Sequence, residues 1–116
     1  MFDVDFYTLT DGRKPVQEFL DSLNSKMRVK ALESLKILEE HGNTLREPFS
    51  KPISNGLFEL RIKFASDITR IFYFFFDGKK IIMTNGFVKK TSKTPAREIE
   101  RALKYKADYE RRFHNE

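Results

Sequence analysis

"LFELRIKFASDITRIFYFFFDGKKIIMTNGFV", residues 57–88, holds three strands in succession, and the rest of the architecture follows from them. In the first, Phe58, Leu60, Ile62 and Phe64 alternate with Glu59, Arg61 and Lys63, the period of a half-buried strand. The next, Ile68 to Phe76, is apolar on both faces beyond Arg70, as a central strand covered on both sides would be. Asp77-Gly78 suits the positive φ values of a two-residue type I′ turn. The chain then returns as a third strand from Lys80 to Val88, so the three pair as antiparallel neighbours.

Upstream, Phe2, Val4 and Phe6 alternate with Asp3, Asp5 and Tyr7 and predict one more strand. A turn at Asp11-Gly12 follows, and Pro15 suits the first turn of a helix. Val16, Phe19, Leu20 and Leu23 recur at helical spacing, which makes a short amphipathic helix stopped at Asn24-Ser25. Ser25 is expected to cap a second helix running to His41, with Ala31, Leu32, Leu35 and Leu38 buried and Gly42 closing it. The two form a helix hairpin over 15–41. Residues 43–56, with Pro48, Pro52 and Asn55-Gly56, read as an ordered loop. Beyond Pro95, residues 96–113 are helical, with Ile99, Ala102, Leu103 and Ala107 as one stripe and Arg97, Arg101 and Lys104 outside it. The order β-α-α-β-β-β-α, with strands and helices segregated, predicts an α+β fold: an antiparallel sheet with an N-terminal helix hairpin and a C-terminal helix packed on it. With 116 residues and neither repeat nor linker, residues 1–116 are expected to form a single domain.

Composition narrows the function classes. The chain is 40% apolar and 34% charged, and it carries twelve Phe and four Tyr but no Trp. With no Cys, disulfides and thiolate metal sites are excluded, which fits a reducing cytoplasm. The acidic "MFDVDFYTL" start is unlike a secretory signal, and the longest apolar run, Ile71 to Phe76, is too short to span a bilayer. A cytoplasmic protein with no membrane partner is expected. A net charge of +5 points to anionic partners: nucleic acid, an acidic protein surface, or both.

No metal site is expected, because His41 and His114 are the only histidines and neither has a second ligand at suitable spacing. Neither a nucleophile elbow nor a Gly-rich phosphate loop is present, and no cofactor is expected. What remains is a set of cations on the sheet. Arg61 and Lys63 share the polar face of their strand, and Arg70 enters the next one. A two-residue hairpin loop, Ala65-Ser66, sets Arg61 opposite Arg70; a three-residue loop pairs Ile62 with Arg70 instead. Like charges directly opposite are destabilising, so the first register makes most sense with an anion between the arginines. The alternative is a surface ion pair, Arg70 with Asp67 or Arg61 with Glu59. Arg70 is expected at the rim, with its head group left unburied.

Residues 84–95, "TNGFVKKTSKTP", add Lys89, Lys90 and Lys93 within five positions. Alternation sends Lys89 and Lys90 to opposite faces, so one of them joins the arginines. Several cations on a concave face suit a polyanionic backbone. Arginine is the better bidentate phosphate clamp, whereas a lysine of lowered pKa also transfers protons. Phe87 and Tyr73 are candidates to stack on bases, although core packing is the commoner use of such residues.

Taken in order, Gly56 to Arg61, Arg70 to Tyr73, Phe87 to Pro95, and Glu98 with Ala102 resemble the RelE/HigB superfamily of toxins from type II toxin–antitoxin systems, in its phage-derived HigB-like branch. The resemblance extends over nearly the whole chain. It implies a ribosome-dependent mRNA endoribonuclease (mRNA interferase) that inhibits translation, with the ribosome and mRNA as targets and a helix-turn-helix protein antitoxin as partner. By this resemblance Arg70 stabilises the transition state, Arg61 is the basic residue of the preceding strand, Lys89 and Lys90 are the basic end of the last strand, and Lys63 and Lys93 bind RNA. No general base carries over: the Tyr or His that some members place near the last strand has no counterpart, and His114 lies in the tail. The rivals are a non-catalytic nucleic-acid- or protein-binding module on the same fold and a phage-encoded interaction protein.

Overall fold

The computed structural model describes residues 1–89 and 93–113. Lys90 and His114 therefore lie outside the described residues. The elements run β1 (Asp3–Phe6), α1 (Pro15–Ser22), α2 (Ser25–His41), a 3-10 turn at Gly42–Thr44, β2 (Ser50–Ser54), β3 (Leu57–Phe64), β4 (Asp67–Phe76), β5 (Lys80–Lys89) and α3 (Ala96–Phe113). The five strands form one sheet in the order β1-β5-β4-β3-β2. β2 to β5 pair antiparallel, while β1 lies parallel to β5. This is the α+β architecture expected from the sequence, with one strand more and one parallel edge.

The extra strand is β2, which falls in the segment read as a loop. Its five residues include Pro52, and a register shift lies between Pro52 and Ser54. Proline has no N–H for a ladder, so it lowers the strand signal, yet an edge strand tolerates it.

The helix hairpin covers one face of the sheet. Val16, Leu20, Leu23, Met27, Ala31, Leu35 and Leu38 pack on Leu60, Ile62, Ile71, Tyr73, Ile81 and Met83. Each large apolar side chain fully buried there stabilises the fold by about 1.5–3 kcal/mol. Two local expectations are corrected. The α2 cap is Asn24, whose side-chain oxygen accepts from the Met27 N–H at 2.9 Å, and Ser25 is the first helical residue. Leu32 points outward, and Met27 takes its place in the buried stripe. Arg28 then locks the hairpin by donating to the carbonyls of Leu20, Asp21 and Leu23 around the end of α1.

α3 covers the opposite face, over Leu57, Phe72, Phe74, Ile82 and Phe87. Its buried residues are Ala102 and Tyr109; Ala107, assigned to the stripe from spacing, is exposed. The β4–β5 turn has Asp77 and Gly78 at positive φ as expected, but Phe76 pairs with Lys80, so three residues lie between the partners.

One irregularity positions the site. Tyr73 pairs with Met83 and Ile71 with Gly86, so Phe72 alone faces both Thr84 and Asn85. This β-bulge resets the alternation of β5. Beyond it, Phe87 and Lys89 share the face of Phe72 and Arg70, whereas an unbroken ladder would turn them toward the helix hairpin. The bulge also places Gly86 under α1. A Cβ added there would lie 2.4 Å from the Phe19 ring. Gly86→Ala is accordingly expected to lower stability by about 1–3 kcal/mol through overpacking. Urea unfolding checks it: the midpoint should fall with no change in slope.

Candidate functional site

The β3–β4 hairpin has the two-residue loop, Ala65-Ser66, with Ala65 at positive φ. Arg61 therefore pairs directly with Arg70 across the two strands. Lys89 lies opposite Ile68, one step along the same face of β4 from Arg70, and Lys51 lies opposite Glu59 from the β2 side. Arg61, Arg70, Lys89 and Lys51 thus converge on the α3 face of the sheet, near the start of α3.

The anion that the facing arginines call for belongs to the chain itself. Glu59 is 1% exposed, and its Oε1 lies 3.5 Å from the Arg61 Nε and 3.8 Å from the Arg70 Nε. Its Oε2 accepts from the Thr94 hydroxyl at 3.0 Å. This one carboxylate accepts from Arg61, lies within ion-pair range of Arg70, whose buried Nε has no hydrogen-bond partner among the described residues, and ties the turn before α3 to β3. The expectation that Arg70 sits unburied at the rim is corrected, because the residue is only 5% exposed. Burial pushes its pKa down; the Glu59 charge opposes that shift, and Arg61 adds to it. The Arg61–Glu59 contact is no surface pair either, since one partner is fully enclosed. Four cations against one carboxylate leave a surplus of positive charge for an outside anion.

Lys89 is the group in this site best placed to move a proton. Partial burial holds its pKa below the ordinary lysine value of 10.5; Arg70, Arg61 and Lys51 lower it further, and Glu59 partly offsets them. Between the lowered native pKa and 10.5, the native state binds fewer protons than the unfolded chain, so Lys89 makes stability rise with pH in that window. Relative to Lys89→Met, the wild-type melting temperature should therefore gain as pH is raised from 7 toward 10.5. Parallel melting curves for the two proteins across that range would remove Lys89 from the cationic cluster.

The remaining sequence candidates separate clearly. Lys63 is exposed on the same strand face, and Lys93 is exposed on the turn before α3. Tyr73 is 1% exposed under the helix hairpin, where its phenol hydrogen-bonds the Ser50 hydroxyl. Phe87 packs against Phe72, with ring centroids 5.5 Å apart, beneath α3. Neither ring is available to stack on a base; both serve the core. Sequence reasoning missed Glu59 as the centre of the cluster, although alternation had already placed it on the face of Arg61. It also missed Thr94, for which the sequence carries no signal.

Among the described residues, no group of three His, Cys, Asp or Glu is placed to hold a metal ion. No helix among them is long and apolar enough to cross a membrane. A family model described as "Phage derived protein Gp49-like (DUF891)" matches residues 18–107, a span that contains α2, β2 to β5 and every residue of the cationic cluster. No curated protein matches the chain.

Proposed function

Since the chain belongs to the Gp49-like family of phage-derived, toxin-like proteins, we propose that it is the toxin of a toxin–antitoxin pair and acts as a ribosome-dependent endoribonuclease on mRNA, as in the HigB-like branch of the RelE superfamily. The observation that carries this reading is the convergence of Arg61, Arg70 and Lys89 around one buried carboxylate.

In this reaction the 2′-oxygen of one nucleotide forms a bond to the adjacent phosphorus and the bond from phosphorus to the 5′-oxygen breaks. The products are a cyclic 2′,3′-phosphate and a 5′-hydroxyl. The dianionic phosphorane needs cations already in place, and Arg61 and Arg70 supply them, both within ion-pair range of Glu59. The departing 5′-oxygen needs a proton. The Lys89 ammonium, made more acidic by its surroundings, donates it. The 2′-hydroxyl releases its proton to solvent water as its oxygen attacks, the ribosome brings that oxygen into line, and this chain contributes the charge and the acid. A cytoplasmic location follows from such a target, and a helix-turn-helix antitoxin that covers the cationic face is the expected partner.

One observation favours a non-catalytic binding module: Glu59, the carboxylate beside Arg70, is enclosed and out of reach of a substrate hydroxyl. Inducible expression in bacteria separates the two. Growth arrest accompanied by new mRNA 5′ ends mapped within coding sequence supports the nuclease; arrest with intact mRNA supports the module. Unimpaired growth at high expression of the free protein would reject both forms of the toxin reading.

A further inference from the structure

With Tyr73 and Phe87 in the core, an aromatic surface for a nucleobase has to come from elsewhere. Among the described residues, the exposed phenylalanines are Phe49, Phe64 and Phe113. Phe49, which is 53% exposed, shares a groove of about 420 Å³ with Arg61 and Arg70. Pro48, together with Ile37 of α2, gives the groove apolar walls, and Lys63 adds charge at its edge. The volume is within the range of small-ligand sites, and the apolar lining with a few charged groups is their usual chemistry.

The backbone around Phe49 is fixed on both sides. Its N–H donates to the Arg46 carbonyl at 3.0 Å, and its own carbonyl accepts from the Arg61 N–H at 2.8 Å. Ser50, next in sequence, anchors to Tyr73 in the core. The backbone that carries the exposed ring is therefore anchored to the strand that bears Arg61. An apolar ring alone would suit many occupants. An apolar ring in one groove with two guanidinium groups suits one with a flat apolar body and an anionic link next to it.

We propose that this groove is a nucleobase subsite: a base of single-stranded nucleic acid stacks on Phe49 while its flanking phosphate rests on Arg61 and Arg70. The inference rests on the RNA-directed reading above and adds to it where the strand lies. The backbone then runs from the groove across the cationic cluster toward Lys89. Stacking on an aromatic side chain tolerates any base, so the subsite sets position on the strand and affinity, with little choice of sequence.

The absence of tryptophan makes a clean test possible, because Phe49→Trp carries the sole indole in its chain. Four titrants are used: a fluorescein-labelled single-stranded RNA, the DNA of the same sequence, an abasic chain with the same number of phosphates, and inorganic phosphate. Binding is followed by polarisation of the label and stacking by tryptophan emission. RNA should quench the emission, and the abasic chain and phosphate should not. Quenching by DNA as well also supports the subsite, with the 2′-hydroxyl placed outside it. Phe49→Ala should weaken RNA binding roughly tenfold or more, while Phe49→Tyr retains it.

RNA that binds Phe49→Trp without quenching its indole, or that binds Phe49→Ala as well as the wild type, overturns the subsite alone and leaves the RNA-directed reading intact. Equal quenching by the abasic chain overturns it too, since phosphate contact would then suffice. RNA that fails to bind the wild type at all overturns both. An emission shift that follows protein concentration, with a matching dimer in sedimentation, would make the groove a self-interface and reject the proposal.

Discussion

Arg70→Ala is expected to abolish growth arrest at expression levels where the wild type stops growth, and to lower the rate of mRNA cleavage roughly a hundredfold or more. That is the usual size of effect when one donor to transition-state charge is lost. The guanidinium is confined by burial with the Glu59 carboxylate 3.8 Å away, so its charge is already in place when the phosphorane develops. The same enclosure means that truncation also touches the fold, because Glu59 loses one of its partners and keeps Arg61 and Thr94. Circular dichroism and a melting curve must therefore accompany the activity measurement. Arg70→Lys separates the two effects. It keeps a cation beside the carboxylate but loses the planar fork that matches a phosphate. Most of the stability should return with little of the activity. If folded Arg70→Ala arrests growth as the wild type does, Arg70 has no part in the reaction, and the assignment passes to Arg61 and Lys89.

Glu59→Leu should be the most damaging single change to stability, at about 3–5 kcal/mol, because it leaves the Arg70 charge buried without its partner. It also removes the carboxylate that separates two directly opposed arginines. The double variant Glu59→Leu/Arg70→Leu is expected to be more stable than Glu59→Leu alone, since matched apolar groups often replace a buried ion pair at no net loss. It should nonetheless be inactive. Urea unfolding of the wild type, both single variants and the double variant gives the coupling between the two residues directly. Independent, additive losses would show that Glu59 does not hold Arg70, and the account of how the cluster is oriented would fail with it.

Much of the architecture was legible because it depends on short-range regularities. The alternation in 57–64, the doubly apolar run after Arg70 and the Asp77-Gly78 turn identify three consecutive strands without knowledge of the rest. Helical spacing in 15–41 and 96–113 identifies what packs on them. The errors arise where a local rule met a tertiary alternative. Leu32 satisfies the helical spacing, but the sheet is contacted by the neighbouring stripe that includes Met27. Tyr105 and Tyr109 reach the core from positions where spacing alone pointed to Ala107, because long aromatic side chains span a gap that alanine cannot.

The α+β class, the central position of the strand after Arg70 and the residue types of a phosphate-directed site are all legible in the residues alone. These follow from period, polarity and charge, which are properties of the chain. Which charges meet depends instead on how the strands pair in three dimensions. The hairpin register, set by a two-residue loop, brings Arg61 against Arg70; one more loop residue would have turned one of them away. The bulge opposite Phe72 sends Lys89 to the same face, where unbroken alternation would send it to the other. Enclosure between β2, β4 and the turn before α3 turns Glu59 from a surface carboxylate into the pivot of the cluster. At either place a slip of one residue exchanges the two faces of a strand, and it is the packing of both faces against the helix layers that fixes which exchange is stable.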